Sequence, residues 1–414
     1  MSIDRTPFRG SRLEAARAIG RRLAPAAAAL VVFSLVACGD SSGPGGDTTD
    51  RATLSGIVRT AGAEAAIEGA TISIGERRAT SDASGSFELT DLPVGSVKVH
   101  AERPGYLPAE ATVALGAGAN THDFALALQE IFESGANAVY VPAGVGPMRG
   151  AIIVLGGPDA SGFVTGGRIA PADNPDLELS LQGLGAGLRG VARSAHVALL
   201  GSSITGMAST KASDAALFAA LGAVGELSGH PELADVPVLM FGLSAGAHEA
   251  AALASRSPAR AVGLLVRVPV SVTALTDPAA LAVPTFVMQA ELDQVADNTF
   301  VRITFEGNRS RGGLWALAVE PGVGHSEASA EGNSAALGWI IRVLALRLPA
   351  AAGDPLVALD QATGWLGNQT TLDIAPWADY PDDRAAASWL LSESEATSWQ
   401  VLGTEDGDGE AAVR

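Results

Sequence analysis

The chain reads as multi-domain, with a small all-β sandwich followed by a larger α/β domain. The α/β domain should hold a mostly parallel sheet with helices on both faces. Three observations predict this. Residues 51–128 carry short runs in which apolar and polar residues alternate, separated by turn residues. Residues 131–348 alternate continuous apolar runs with helix-forming stretches, the pattern of strands buried on both sides. One of those runs, Val238-Leu239-Met240-Phe241, passes directly into Gly242-Leu243-Ser244-Ala245-Gly246 and then an alanine-rich helix.

Six arginines (Arg5, Arg9, Arg12, Arg17, Arg21 and Arg22) open the chain, ahead of an apolar stretch from Leu23 to Ala37. The stretch is too short to span a bilayer comfortably and reads as a signal peptide over 1–37. It ends Leu35-Val36-Ala37-Cys38-Gly39, which resembles the bacterial lipobox, and Cys38 is the single cysteine of the chain. The resemblance implies cleavage before Cys38 and lipidation of its thiol. The protein is then exported and lipid-anchored to the cell envelope, at the outer membrane in a Gram-negative host, where Gly39 after the cysteine favours that sorting. The signal segment carries a net +4 and the whole chain −18, so the remainder is near −22. Such a surface repels nucleic acid and anionic lipid, which leaves acyl chains as the means of membrane attachment. Residues 38–50 are a polar tether rich in Gly, Ser and Asp.

In 51–128, Thr53 to Val58, Ala70 to Ile74 and Ser96 to His100 alternate, and Asp82-Ala83-Ser84-Gly85 is turn chemistry ahead of Ser86-Phe87-Glu88-Leu89. The segment resembles the carboxypeptidase regulatory-like, transthyretin-like modules. The matching residues are Gly56-Ile57-Val58, Gly69-Ala70, Thr80 to Phe87, Leu92-Pro93-Val94-Gly95 and Pro104-Gly105-Tyr106. The resemblance implies a spacer or docking unit without catalysis.

In 131–348 the apolar runs predict strands at Ala138–Val141, Ala151–Leu155, His196–Leu200, Val236–Phe241, Ala261–Val266, Thr285–Gln289 and Leu314–Val319. Helices are expected over Asp214–Leu227, Ala245–Ser255, Ala296–Arg309 and Ala335–Arg347. Leu177 to Gln182 looks helical, and Gly183-Leu184-Gly185-Ala186-Gly187 after it reads as helix or loop rather than as a dinucleotide fingerprint.

A hydroxyl at neutral pH needs a base to become a nucleophile, and the base needs a third group to orient it. Asp293 follows Ser244 by 49 residues, just past a strand, and His325 follows Asp293 by 32, just past the next. All three therefore fall at one edge of a parallel sheet, where such sheets place their ligands. Here the chain resembles the α/β-hydrolase family, in particular its secreted esterase and polyester-depolymerase-like members. The resemblance implies Ser244 as nucleophile, His325 as general base and then acid, and Asp293 as the orienting acid. Glu291 is the second candidate acid. Asp297 is the third and reads as a helix-start residue. The oxyanion hole it implies uses the backbone N–H of Ala245 and one from the loop after Ala151–Leu155, at Gly157 or Asp159, since Pro158 has no N–H.

His248, His196 and His230 read as structural. One cysteine and scattered histidines give no metal cluster, and no cofactor motif is present. After Leu348, a segment to Leu402 holds four of the six tryptophans and reads as an ordered extension. It either simply docks on the α/β domain or also walls an acyl pocket. Residues 403–414 are an acidic tail. The function expected is a serine hydrolase of small-molecule or polymeric carboxylic esters. A serine peptidase of the same fold, an acyl transferase and a non-catalytic surface-binding protein are the alternatives.

Overall fold

A computed structural model describes residues 51–404, apart from 157–158, 171, 203–209, 273 and 352. The signal segment, Cys38 and the tether lie outside the described residues.

The first domain is an all-β sandwich of eight strands: β1 (Arg51–Thr60), β2 (Thr71–Ile74), β3 (Arg77–Thr80), β4 (Ser86–Pro93), β5 (Gly95–Glu102), β6 (Ala109–Leu115), β7 (Gly118–Thr121) and β8 (Phe124–Leu126). One sheet is built on β1, which pairs antiparallel with β4 and parallel with β7 and β8; the other runs β3-β2-β5-β6, all antiparallel. Alternation decides what is buried. Leu54, Val58, Ile72, Phe87, Leu92, Val99 and Leu126 point inward and form a core of their own. The expected turn is present: the Asp82 carboxylate accepts the backbone N–H groups of Ser84 and Ser86, and Gly85 takes φ +78°.

The second domain centres on eight strands: β9 (Ile131–Ser134), β10 (Asn137–Tyr140), β11 (Gly150–Gly156), β12 (Val197–Ser202), β13 (Val238–Leu243), β14 (Ala261–Arg267), β15 (Thr285–Ala290) and β16 (Trp315–Glu320). Their spatial order is β16-β15-β14-β13-β11-β12-β10-β9. The sheet is mixed: β11 to β16 run parallel, and β10 and β9 add an antiparallel edge. All seven expected strands form, most with bounds shifted by one or two residues; β9 is additional.

The helices are α1 (Gly162–Thr165), α2 (Pro175–Ala195), α3 (Lys211–Ser228), α4 (Gly246–Arg256), α5 (Pro278–Leu281), α6 (Asn298–Ser310) and α7 (Ala330–Arg347). Continuous apolar strands are needed because both faces are covered. In β13, Leu239, Phe241 and Leu243 face a core shared with α1, α2 and α7, while Val238 and Met240 face a core shared with α3 to α6.

The glycine-rich stretch 183–187 lies inside α2, a long helix that the glycines obscure. Its ends explain it. The Asn174 side chain accepts the Leu177 N–H, Pro175 opens the first turn, and His196 closes the helix in the left-handed conformation. Two of the glycines serve packing, since a Cβ on Gly187 would lie 2.5 Å from Leu337 of α7 and one on Gly185 would lie 3.3 Å from Phe163 of α1.

The extension folds into β17 (Trp365–Gly367), β18 (Ile374–Pro376), β19 (Ser388–Leu390) and α8 (Glu393–Thr404), and it covers the β16 edge of the large sheet. A bare edge leaves N–H and C=O groups unpaired. Here the Leu317 N–H donates to Ser388 Oγ (2.8 Å), and the Leu317 carbonyl accepts from Trp399 Nε1 (2.6 Å) and Gln369 Nε2 (3.0 Å). Buried Arg309 reaches across from α6 to the carbonyls of Ala387 and Arg384, and its burial pulls the guanidinium pKa down to about 10.

Candidate active site

Ser244 sits between β13 and α4 with φ +52°, a left-handed conformation that costs a non-glycine residue about 1–3 kcal/mol. The turn is held open by close contacts. A Cβ on Gly242 would lie 2.5 Å from Ala247 Cα, and one on Gly246 only 2.2 Å from the Leu155 carbonyl. The two glycines of the motif are therefore required by the space around them. The Ser244 N–H donates to the Arg267 carbonyl at the end of β14, 3.1 Å away.

Asp293 lies three residues past β15, and His325 five past β16. The Ser244 hydroxyl lies 2.8 Å from His325 Nε2, and His325 Nδ1 lies 2.7 Å from Asp293 Oδ2. With a proton on Nδ1, the ring donates to Asp293 and accepts from the serine. The Asp293 carboxylate is wholly buried, while the imidazole keeps a seventh of its surface open. Burial alone would raise the Asp293 pKa. Hydrogen bonds from the Ala296 N–H, the His325 ring and the Val295 N–H outweigh it and hold the carboxyl below its usual value.

The two loops that carry acid and histidine are fastened together. The Glu291 N–H donates to the Glu320 carbonyl, the Leu292 N–H to the Val323 carbonyl, and the Gly322 N–H to the Glu291 carboxylate at 2.9 Å. Glu291 thus serves the turn before the histidine and not the imidazole. Asp297 caps α6 through the Phe300 N–H, the helix-start role expected for it. Val268, Ala290 and Val323, at the ends of β14 and β15 and in the turn before His325, form a small buried apolar cluster.

Of the expected oxyanion donors, Ala245 lies at the N-terminal end of α4, where backbone N–H groups and the helix dipole favour negative charge. Gly157 lies outside the described residues. Its neighbour Gly156, at φ +88°, is pressed against the first turn of α4: a Cβ there would lie 2.2 Å from the Leu243 carbonyl oxygen and 2.8 Å from Gly246.

His248 pairs with Ser271 Oγ at 3.2 Å, His230 with Glu232 at 2.9 Å, and His196 ends α2. No group of three or more His, Cys, Asp or Glu among the described residues is placed to hold a metal ion. No described helix is long and apolar enough to cross a membrane.

The sequence reading missed a buried ion pair beside the triad. Arg267, last of β14, donates twice to the Glu320 carboxylate, last of β16, at 2.6 and 2.7 Å, with both side chains almost fully buried. Its other nitrogen reaches Asn333 on α7, which in turn binds Ser180 on α2. The pair bridges over β15 and ties the strand that receives the Ser244 N–H to the strand that leads to His325. A charge of opposite sign ending each of two apolar strands was the signal available.

A cavity of about 580 Å³ opens beside His325. It is lined by Asn174, Asp176 and Leu177 of the α2 start, by Leu292, Gln294 and Val295 around Asp293, and by the segment from Gly324 to Ala328. No residue of the C-terminal extension lines it.

Residues 53–127 match the carboxypeptidase regulatory-like domain, which agrees with the sandwich. No curated protein matches the chain. Among solved structures, the chain is similar to a type II cohesin–X-dockerin complex from Acetivibrio cellulolyticus. That match is at 24% identity over 19% of this chain and 59% of that one, with a TM-score of 0.17. It is also similar to a putative carbohydrate-binding protein from Bacteroides uniformis, at 12% identity over 22% of this chain and 51% of that one, again with a TM-score of 0.17. The chain therefore spans only half to three-fifths of the length of these two structures.

Proposed function

We propose that this protein is a serine hydrolase of the α/β-hydrolase kind that cleaves carboxylic esters through an acyl-enzyme. One observation carries the reading: Ser244, on a strained turn, His325 and buried Asp293 form a continuous hydrogen-bonded line at the carboxyl edge of a parallel sheet.

Ser244 Oγ attacks the ester carbonyl as its proton passes to His325 Nε2. The imidazolium that forms is stabilised by the Asp293 carboxylate, already ionised because its hydrogen bonds hold its pKa low. The Ala245 N–H faces the developing oxyanion. The carbon–oxygen bond to the alcohol then breaks, and His325 returns the proton to the departing oxygen. Water, deprotonated by the same imidazole, attacks the acyl carbon and releases the acid and free Ser244.

The test is labelling by a fluorophosphonate probe together with hydrolysis of short acyl esters. Ser244→Ala is expected to abolish labelling and to lower ester turnover by roughly 10⁴-fold or more, with no change in the thermal midpoint. Labelling that survives in Ser244→Ala defeats the reading. The same proposal anchors the chain in the cell envelope through lipidated Cys38, with the sandwich as spacer. Incorporation of radiolabelled palmitate that is lost in Cys38→Ser is the expected outcome there.

A further inference from the structure

We propose that the cavity beside His325 receives the leaving group of the ester, and that it accepts an alcohol portion that is neutral or cationic and refuses an anionic one. The proposal rests on the ester-hydrolase reading above and assigns the substrate class of that site.

Reaction geometry dictates which portion of the substrate lies there. In the tetrahedral adduct on Ser244 Oγ, the oxyanion turns toward the start of α4 and the Ala245 N–H. When the adduct collapses, the bond to the alkoxy oxygen breaks and that oxygen takes the proton from His325 Nε2. It must then lie on the imidazole side, so the alcohol chain runs past His325. The cavity of about 580 Å³ has His325 in its lining and is large enough for a benzyl-sized group.

Its lining sets the chemistry. Leu292 and Val295, on either side of Asp293, keep 56% and 64% of their surface exposed, and Leu177 and Ala328 face the same space. These side chains offer a surface for hydrocarbon to cover, and Asn174, Gln294 and Ser326 set neutral polar groups beside them. The charges lining the cavity are all of one sign. Asp176 opens α2, Glu327 accepts the Gly324 N–H at 2.7 Å, and no Lys or Arg among the described residues lines the cavity. An anion entering it would meet two carboxylates and no counter-charge, within a chain that is already strongly acidic.

The test uses acetate esters of three benzyl alcohols: the 4-carboxylate, its neutral methyl ester, and the 4-trimethylammoniomethyl analogue. Their alcohols differ little in acidity, so kcat/KM reports recognition. The neutral and cationic esters are expected to exceed the anionic one by about tenfold at low salt, and less at 0.5 M salt. Asp176→Asn combined with Glu327→Gln is expected to bring the anionic-to-neutral ratio close to one. Equal rates for all three esters in the native protein, or a ratio unmoved by the double substitution, overturn the assignment. Fluorophosphonate labelling at Ser244 without cleavage of the benzyl esters overturns it while leaving the hydrolase reading intact. Absence of both labelling and cleavage removes the reading and the proposal together.

Discussion

The two domains place their charges differently. In the sandwich, Arg51 and Arg77 both pair with Asp91, and His100 pairs with Glu110, and every one of these side chains is about half exposed. In the α/β domain, Arg267 and Glu320 are each about 3% exposed, and Asp293 is fully buried beneath an imidazole. Water screens the first set and leaves each pair worth little. The second set has lost its water and relies on geometry, which makes it costly to assemble and sensitive to disturbance. Both domains have apolar cores, so burial of hydrocarbon does not distinguish them. Charged groups taken out of water do: Arg267, Arg309, Glu320 and Arg347 are all buried in the α/β domain.

The largest break in that contrast comes from Asp293→Asn. It is expected to lower kcat about 10⁴-fold, because an amide that donates to Nδ1 imposes the wrong tautomer on His325. The same substitution reports on stability. A carboxyl whose pKa is lowered by folding stabilises the fold above its unfolded value, near 3.8, and this contribution is lost as pH falls further. Thermal midpoints measured from pH 6 to pH 3 should therefore fall less steeply in Asp293→Asn than in the native chain.

Removing one partner of each kind of ion pair sharpens the comparison. Arg267→Met leaves Glu320 buried without its cation and is expected to cost about 3–5 kcal/mol in urea unfolding. Arg77→Ala, on the exposed pair of the sandwich, should cost less than about 1 kcal/mol. Equal costs would mean that burial is not what separates the domains.

A smaller effect tests a lone buried acid. Burial pushes the Glu395 carboxyl up to about 8, against the opposing pull of the Leu391 N–H and Arg342, and Glu395 Oε1 has no hydrogen-bond partner among the described residues. A carboxyl whose pKa is raised by folding favours the fold fully below its unfolded value, near 4.5, and that advantage is lost as pH climbs toward 8. Glu395→Gln keeps an acceptor for Leu391 and removes the titration. Its thermal midpoint should therefore stay flatter than the native one between pH 5 and pH 8.

The strands of the α/β domain were legible because continuous apolar runs leave few alternatives, and the Ser244 turn was legible because only small residues fit around it. Asp293 and His325 could be picked out because each follows such a run closely. Helix α2 was harder to read. Its glycines depress helix propensity, and what holds it is a capped start and close packing on α7, a contact between residues far apart in sequence. The Arg267–Glu320 pair was invisible for a related reason: 53 residues separate partners that the sheet brings together across an intervening strand. The place of the extension on the β16 edge rests on contacts between residues far apart in sequence: Ser388 and Trp399 with Leu317, and Arg309 with Arg384 and Ala387. No periodicity records such a meeting.

The cover on β16 sets the order in which the molecule is completed. Synthesis delivers the whole sheet long before it delivers Ser388 and Trp399, which satisfy Leu317. Until that segment emerges, the sheet ends in an open ladder and Arg309 lacks the carbonyls of Arg384 and Ala387. A chain cut short anywhere between Leu348 and Ser388 would contain the serine, the histidine and the aspartate, yet carry an adhesive margin that the extension otherwise hides.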